Sequence, residues 1–239
     1  MSRILVPSGG AEGWQRLLAE PEKQWRTGFS AKALAHCWEA AGGFPPSVQA
    51  LFDGSRFEEL HGLELLLGVP EHRVPLPGGR RASQTDLFVL ARAKDGLAAI
   101  AVEGKVAESF GPLVREWLAP TPSPVEGEPD IPPSEGKHQR LAFLSSNLGL
   151  AVEDAAGARY QLMHRTVSAL IEARRFAARH AVMLVHSFGE RDESFADYER
   201  FAAMLGAEAK RDELVAARVP GDIPAYLGWA TGDPTYLAV

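Results

Sequence analysis

Two carboxylates and one amine occupy positions that the sequence predicts to be neighbours in a β-hairpin. Asp86 opens one apolar run, and Glu103 and Lys105 lie at the end of the next. Side chains two residues apart on a strand point to the same face, so Glu103 and Lys105 should project together. The intervening Gly104 would then point away. Two acids and an amine are sufficient to bind a divalent cation and to activate a water beside it.

The hairpin itself is predicted from hydrophobic pattern and turn chemistry. Its strands cover residues 86–91 and 97–103, and both are rich in residues that favour β-structure. Between them, Asp95 and Gly96 form a dipeptide that is typical of tight hairpin turns. This pairing should bring Asp86 alongside Glu103.

Composition favours a folded chain with a single domain, 1–239. The 239 residues are 46% hydrophobic, which is enough apolar content for a sizeable core. The single cysteine, Cys37, excludes an intrachain disulfide and is interpreted as a small buried hydrophobe. The apolar segment before Pro7 is too short for a signal peptide, and no run reaches the roughly 18 apolar residues of a membrane helix. We therefore expect a cytoplasmic protein that has no membrane partner.

The charge balance counts against general nucleic-acid binding. With 25 basic and 31 acidic residues, the formal charge is -6, so the whole molecule repels phosphate. Basic groups near the site could still contact phosphate. The alternative interpretation is that these residues are ordinary side chains exposed to solvent. These groups are Arg73, Arg80, Arg81, Arg92 and Lys94 near the first strand, and Arg159, Arg165, Arg174, Arg175 and Arg179 near a later helix.

A helix is predicted immediately before the hairpin. Ser55 and Glu58 form a capping box, and Gly68 closes a segment whose apolar residues recur at helical spacing. Glu64 falls within this apolar stripe, where a carboxylate is costly unless something pairs with it. A metal, a basic partner or an edge position that reaches solvent would each explain Glu64.

The remaining elements are predicted from periodicity and breakers. Residues 119–136 hold six prolines and four acids with no base, a composition that favours a flexible loop without regular structure. Further strands are expected at 3–6, 73–76, 181–185 and 225–229, and helices or helical pieces near 13–18, 31–41, 110–118, 137–146, 159–180 and 195–205.

The order of helix, three strands, helix and strand around Asp86 and Glu103-Gly104-Lys105 resembles the PD-(D/E)xK nuclease superfamily, which has the restriction-endonuclease-like fold. The segment 25–35, WRTGFSAKALA, is also similar to a family of uncharacterised bacterial proteins placed in that superfamily. The first resemblance covers about residues 55–188, and the second nearly the whole chain. Thr85 stands where the superfamily often has proline, and no Gln-x-x-x-Tyr pattern is present.

The resemblance implies an α/β fold with a central mixed sheet flanked by helices. It also implies a helical segment at 1–50 packed on a nuclease-like core at 51–239. Asp86 and Glu103 would ligate Mg²⁺ or Mn²⁺ together with the Gly104 carbonyl, and Glu64 would be the accessory acid. Lys105 would position the attacking water or the scissile phosphate. The implied function is metal-dependent hydrolysis of phosphodiester bonds in DNA or RNA.

Two other functions stay open from the residues. A catalytically inactive module of the same fold could use Asp86, Glu103 and Lys105 as a buried ion-pair cluster, and bind a protein partner, a small ligand or a second copy of the chain. Paired acids also serve glycoside hydrolysis, although Lys105 has no evident role there. The sequence lacks a phosphate-binding glycine loop, a His-Glu-x-x-His or paired-cysteine zinc motif and a Gly-x-Ser-x-Gly elbow.

Overall fold

A computed structural model describes residues 9–124, 128–189 and 192–239 of the chain. The described residues form an α/β fold, in which a six-stranded mixed sheet carries helices on both faces. The strands are β1 (Glu64–Val74), β2 (Ser83–Arg92), β3 (Leu97–Lys105), β4 (His180–Ser187), β5 (Leu214–Ala217) and β6 (Ala225–Thr231). The strand predicted at 3–6 lies outside the described residues.

The α-helices of this part of the chain are α1 (Pro21–Gln24), α2 (Ser30–Ala41), α3 (Pro46–Asp53), α4 (Val114–Trp117), α5 (Glu135–Leu148), α6 (Tyr160–Arg175) and α7 (Asp192–Met204). Short 3₁₀ helices occupy Ala11–Leu17, Glu58–Leu60, Asp154–Gly157 and Pro234–Ala238. None of these helices combines the length and the apolar content that a bilayer crossing requires.

The strand order in the sheet is β1-β2-β3-β4-β6-β5. β1, β2 and β3 form an antiparallel meander, whereas β3, β4 and β6 run parallel and β5 returns antiparallel to β6. One face packs against α5, α6 and α7, and the other packs against α2 and α3. Because both faces are covered, the central strands carry nearly continuous apolar runs. The predicted strands at 86–91, 97–103, 181–185 and 225–229 are all confirmed.

The helix predicted from Ser55 to Gly68 is wrong. The Ser55 hydroxyl accepts a hydrogen bond from the backbone N–H of Phe57 at 3.2 Å, and only one 3₁₀ turn follows. The chain then enters β1, whose backbone groups pair along β2. An irregularity between Leu65 and Leu67 places these two side chains in opposite cores, so apolar residues at helical spacing also suit a strand covered on both faces. Pairing with β2 therefore overrides the local capping signal.

Other boundaries differ from the predictions in smaller ways. α6 ends at Arg175 because Ala177 adopts a left-handed conformation, and His180 already belongs to β4. The piece expected at 110–118 shortens to α4, and α3 and β5 were not predicted. Within 119–136, Thr121 pairs with Ile131 in an isolated bridge, and residues 125–127 lie outside the described residues.

Candidate functional site

A pocket of about 400 Å³ lies where β1 and β3 end and β2 begins. The first turns of α6 form one wall, and residues of the N-terminal helical segment form another. Its polar and charged lining from the sheet and α6 consists of Glu71, Gln84, Asp86, Glu103, Lys105, Gln161 and Arg165. The structure therefore brings Asp86, Glu103 and Lys105 together, as the hairpin predicted.

Glu103 is a fully bonded carboxylate in the interior, only 3% exposed. Its Oε1 atom accepts hydrogen bonds from Lys105 Nζ at 2.9 Å and from Gln161 Nε2 at 2.6 Å. Its Oε2 atom accepts from Arg165 Nε at 2.6 Å. Burial alone would raise the pKa of Glu103, but the charges of Arg165 and Lys105 lower it below its ordinary value. Glu103 is therefore ionised, and both of its oxygens are already engaged by protein donors.

Lys105 projects from the same face of β3 as Glu103, which confirms the two-residue spacing argument. Its ammonium also donates to Gln161 Oε1 at 3.2 Å and lies 4.8 Å from the centre of the Phe110 ring. Gln161 thus contacts Glu103 through its amide N–H and Lys105 through its carbonyl. The hydrogen bonds to Glu103 and Gln161 and the contact with the Phe110 ring together fix the position of the ammonium.

Asp86 is the more accessible carboxylate, with 22% of its side chain exposed. Its Oδ2 atom accepts a hydrogen bond from the backbone N–H of Gly104 at 2.8 Å. Its Oδ1 atom lies 3.9 Å from Arg165 Nη2, at the outer limit of an ion pair. Burial, and then the charge of Glu103, raises the pKa of Asp86 to about 7. This carboxyl group is therefore poised to change its charge near neutral pH.

Glu64 does not belong to the site, so its prediction as the accessory acid is wrong. It begins β1 and pairs with Arg92, at the far end of β2 from Asp86. The Glu64 Oε2 to Arg92 Nη1 distance is 3.1 Å, and the Glu64 side chain is 43% exposed. A basic partner and an edge position together account for this carboxylate.

Glu71 is the acid from β1 that reaches the pocket, and the sequence reasoning missed it. The register of β1 and β2 places it opposite Asp86, since the pairs on either side are Pro70 with Leu87 and His72 with Thr85. Burial, and then the charge of Asp86, raises the pKa of Glu71 to about 8.

The side chain of Glu71 is fixed by a hydrogen bond, and its backbone has an uncommon conformation. Its Oε2 atom accepts a hydrogen bond from Gln84 Nε2 at 2.7 Å, and its backbone adopts a positive φ of 52°. Such a conformation is uncommon for a residue other than glycine and persists only where the surroundings enforce it. A prediction of β1 as a strand paired with β2 would have placed Glu71 beside Asp86.

Gln161 was also not predicted as a site residue, and Arg165 was considered only among the basic groups that could contact phosphate. They lie four residues apart, on the one face of α6 that meets β3. His164 between them contacts Ser83 Oγ through Nδ1 at 2.8 Å. The sequence did carry one signal for this pair. Gln161 and Arg165 are long polar residues one helical turn apart, on a helix otherwise rich in buried residues.

Two further buried residues, His186 and Cys37, have structural roles. His186 is fully buried, with Trp38 Nε1 donating to its Nδ1 at 3.1 Å and Ser47 Oγ lying 3.2 Å from its Nε2. Cys37 is buried in α2, as expected, and burial raises its pKa to about 12. Neither residue lines the pocket.

Comparison with known proteins places the chain in one family. A family model described as "Domain of unknown function (DUF6946)" matches residues 7–234. The chain belongs to this family. No curated protein and no solved structure matches it.

The pocket can be tested for its fit to a divalent metal. In the described parts of the chain, no group of three or more His, Cys, Asp and Glu residues is arranged to hold a metal ion. Glu103 is bonded to protein donors, and so is Glu108, which also lines the pocket and accepts hydrogen bonds from Ser30 and from the backbone N–H of Val106.

Asp86 and Glu71 are therefore the more available acids. Burial raises the pKa values of both carboxyl groups, and the charge of a neighbouring carboxylate raises them further, so a bound cation would favour their ionised forms. Because Mg²⁺ typically binds one or two carboxylates and keeps several waters, this pair of oxygen donors fits Mg²⁺ or Mn²⁺.

Proposed function

We propose that this chain is a metal-dependent phosphodiesterase that hydrolyses DNA or RNA, with Asp86 and Glu71 as the acids that hold Mg²⁺ or Mn²⁺. The observation that carries the proposal is the charge arrangement of one pocket. Two carboxylates with pKa values of about 7 and 8 adjoin the buried cations Lys105 and Arg165. A divalent cation would complement the acids, and a phosphate would complement the cations.

Each side chain then has a defined task. When bound, the metal would lower the pKa of a water and neutralise charge on the phosphate. Lys105 would orient that water or the phosphate, and Glu103 with Gln161 would keep its ammonium in place. Arg165 would hold Glu103 and add positive charge beside the phosphate. A direct ligand role for Glu103 would require Lys105 and Gln161 to release its Oε1 atom.

One observation favours a second candidate, a catalytically inactive module of the same fold that binds a protein partner or a small ligand. Both oxygens of Glu103 are saturated by Lys105, Gln161 and Arg165. The hydrogen bonds of this cluster are satisfied without a metal. In the inactive module its role would be to fix the packing of α6 on β3.

Calorimetry with Mn²⁺ separates the two candidates. The phosphodiesterase should bind Mn²⁺, and Asp86→Asn and Glu71→Gln should each weaken binding, whereas Glu64→Gln serves as a matched control that should not. Single-stranded, duplex and structured substrates are then incubated with Mg²⁺ or Mn²⁺. Absence of Mn²⁺ binding, or cleavage that persists unchanged in Asp86→Asn, would favour the inactive module.

We also propose a cytoplasmic location. The single cysteine suits a reducing compartment, because it can form no intrachain disulfide. Fractionation of cells that produce the protein tests this, and its recovery outside the cytoplasmic fraction would contradict the proposal.

A further inference from the structure

A second, shallower pocket of about 330 Å³ adjoins the candidate site. Lys105, Gln161 and Arg165 line both pockets, so the two form one groove that passes on either side of these side chains. We name the part around Asp86 and Glu71 the acidic lobe. The other part is named the aromatic lobe, and its remaining lining is residues 109–112, Tyr160 and His164.

The Tyr160 ring forms a rigid wall of the aromatic lobe. It stacks on Trp117 with ring centres 4.2 Å apart and planes 11° from parallel. The His164 ring lies at 4.8 Å and is tilted by 57°. The backbone N–H of Tyr160 donates to the carbonyl of Pro112 at 3.1 Å, which fixes the start of α6 against the opposite wall. Because Trp117 supports the ring from behind, Tyr160 is held in one orientation before any ligand arrives.

The two lobes have opposite electrostatic character. In the aromatic lobe, burial and then the charges of Arg165, Arg140 and Lys105 hold the pKa of His164 well below its ordinary value. His164 is therefore neutral and sits in a positive field. The acidic lobe is lined by the carboxylates of Glu71 and Asp86, whereas the lining of the aromatic lobe includes no acid. An anion is thus favoured at the aromatic end of the groove, and a cation at the acidic end.

We propose that the aromatic lobe binds one nucleotide of a single-stranded nucleic acid, with its base on Tyr160 and its phosphate beside Lys105 and Arg165. This inference rests on the proposed function, since it names the substrate class of the same groove. A lobe of this volume is at the small end of ligand pockets and admits about one nucleotide. Stacking on an aromatic side chain requires an exposed base face, which single strands offer and paired duplex interiors do not.

Fluorescence anisotropy tests the proposal with a labelled single-stranded oligonucleotide and the corresponding duplex, in EDTA so that no metal-dependent cleavage occurs. The single strand should bind more tightly than the duplex. Tyr160→Leu, which keeps apolar packing on Trp117, should weaken single-strand binding about 5- to 100-fold. Tyr160→Phe should retain binding, because it keeps the aromatic face. Tyr236→Leu, a partly buried tyrosine outside the groove, is the matched control and should bind like the parent.

Three results would overturn the inference: equal affinity for the duplex, equal losses in Tyr160→Leu and Tyr236→Leu, or no binding of either oligonucleotide. These results are independent of the Mn²⁺ titration that tests the proposed function. Mn²⁺ binding without single-strand binding would contradict only the proposed substrate class. Single-strand binding that depends on Tyr160, without Mn²⁺ binding or cleavage, would contradict only the proposed phosphodiesterase activity.

Discussion

The Nε atom of Arg165 lies 2.6 Å from Oε2 of Glu103, and this buried ion pair connects α6 to β3. Both side chains are less than a tenth exposed. Lys105 shares the same carboxylate through its other oxygen. The packing of the helix on the sheet and the charge state of the site therefore depend on one set of contacts.

Removal of the Arg165 guanidinium should strongly destabilise the fold. In Arg165→Met, Glu103 keeps Lys105 but loses its principal counter-charge, and breaking a buried pair from one side typically costs about 3–5 kcal/mol. Urea unfolding at neutral pH measures the change in the free energy of unfolding. Arg92→Met is the control, because the Arg92–Glu64 pair is exposed and such pairs contribute about 0–1 kcal/mol. Equal losses in the two variants would contradict the structural role of Arg165.

The metal-free protein should become less stable as the pH rises through neutrality. Burial and neighbouring acids raise the pKa of Asp86 from 3.8 to about 7 and that of Glu71 from 4.5 to about 8. Over this window the folded protein binds more protons than the unfolded chain, so the free energy of unfolding falls as the pH rises. Asp86→Asn should flatten this decline. Urea unfolding at about pH 5 and about pH 8 measures it, and an unchanged slope in the variant would contradict the pKa assignment.

The accessory acid should be Glu71 and not Glu64. Removal of a metal-binding carboxylate weakens the site at least as much as removal of an outer partner, so Glu71→Gln should lower Mn²⁺ affinity by at least about tenfold. Glu64→Gln should leave the affinity unchanged, because its carboxylate pairs with Arg92 at the other end of β1. Titration calorimetry of both variants measures the affinities. A loss in Glu64→Gln that matches the loss in Glu71→Gln would contradict this assignment.

His186 should contribute to stability at neutral pH and lose that contribution in acid. Burial lowers the pKa of His186 from 6.5 to about 3, so below pH 6.5 the unfolded chain takes up a proton that the folded protein excludes. In His186→Leu the Trp38 N–H loses its acceptor, at a cost of about 1–3 kcal/mol near neutral pH.

This cost of His186→Leu should shrink at about pH 5, because the variant has no histidine to protonate there. Comparing the variant with the parent at each pH cancels the contributions of all other groups. A difference in unfolding free energy that is the same at both pH values would show that His186 titrates alike in the folded and unfolded states.

The hairpin was predictable because its signals are local. β2 and β3 carry apolar β-formers, the turn between them carries Asp95-Gly96, and two-residue spacing places Glu103 and Lys105 on one face. The segment after Ser55 was not predictable in the same way. Its capping box and apolar spacing favoured a helix, whereas the backbone groups of β1 pair with β2, the next strand along the chain.

The sequence by itself determined the α/β class, the β2–β3 hairpin and the meeting of Asp86 with Glu103 and Lys105, because these follow from the apolar pattern of each strand and from a tight-turn signal between the two. Only the tertiary structure decided which other side chains complete the pocket. Arg165 enters through the packing of α6 on β3, 62 residues along the chain from Glu103, and Glu71 replaces Glu64 through the register of β1 on β2. Burial and charge at such contacts depend on how separate elements pair and pack, which the periodicity within one element does not encode.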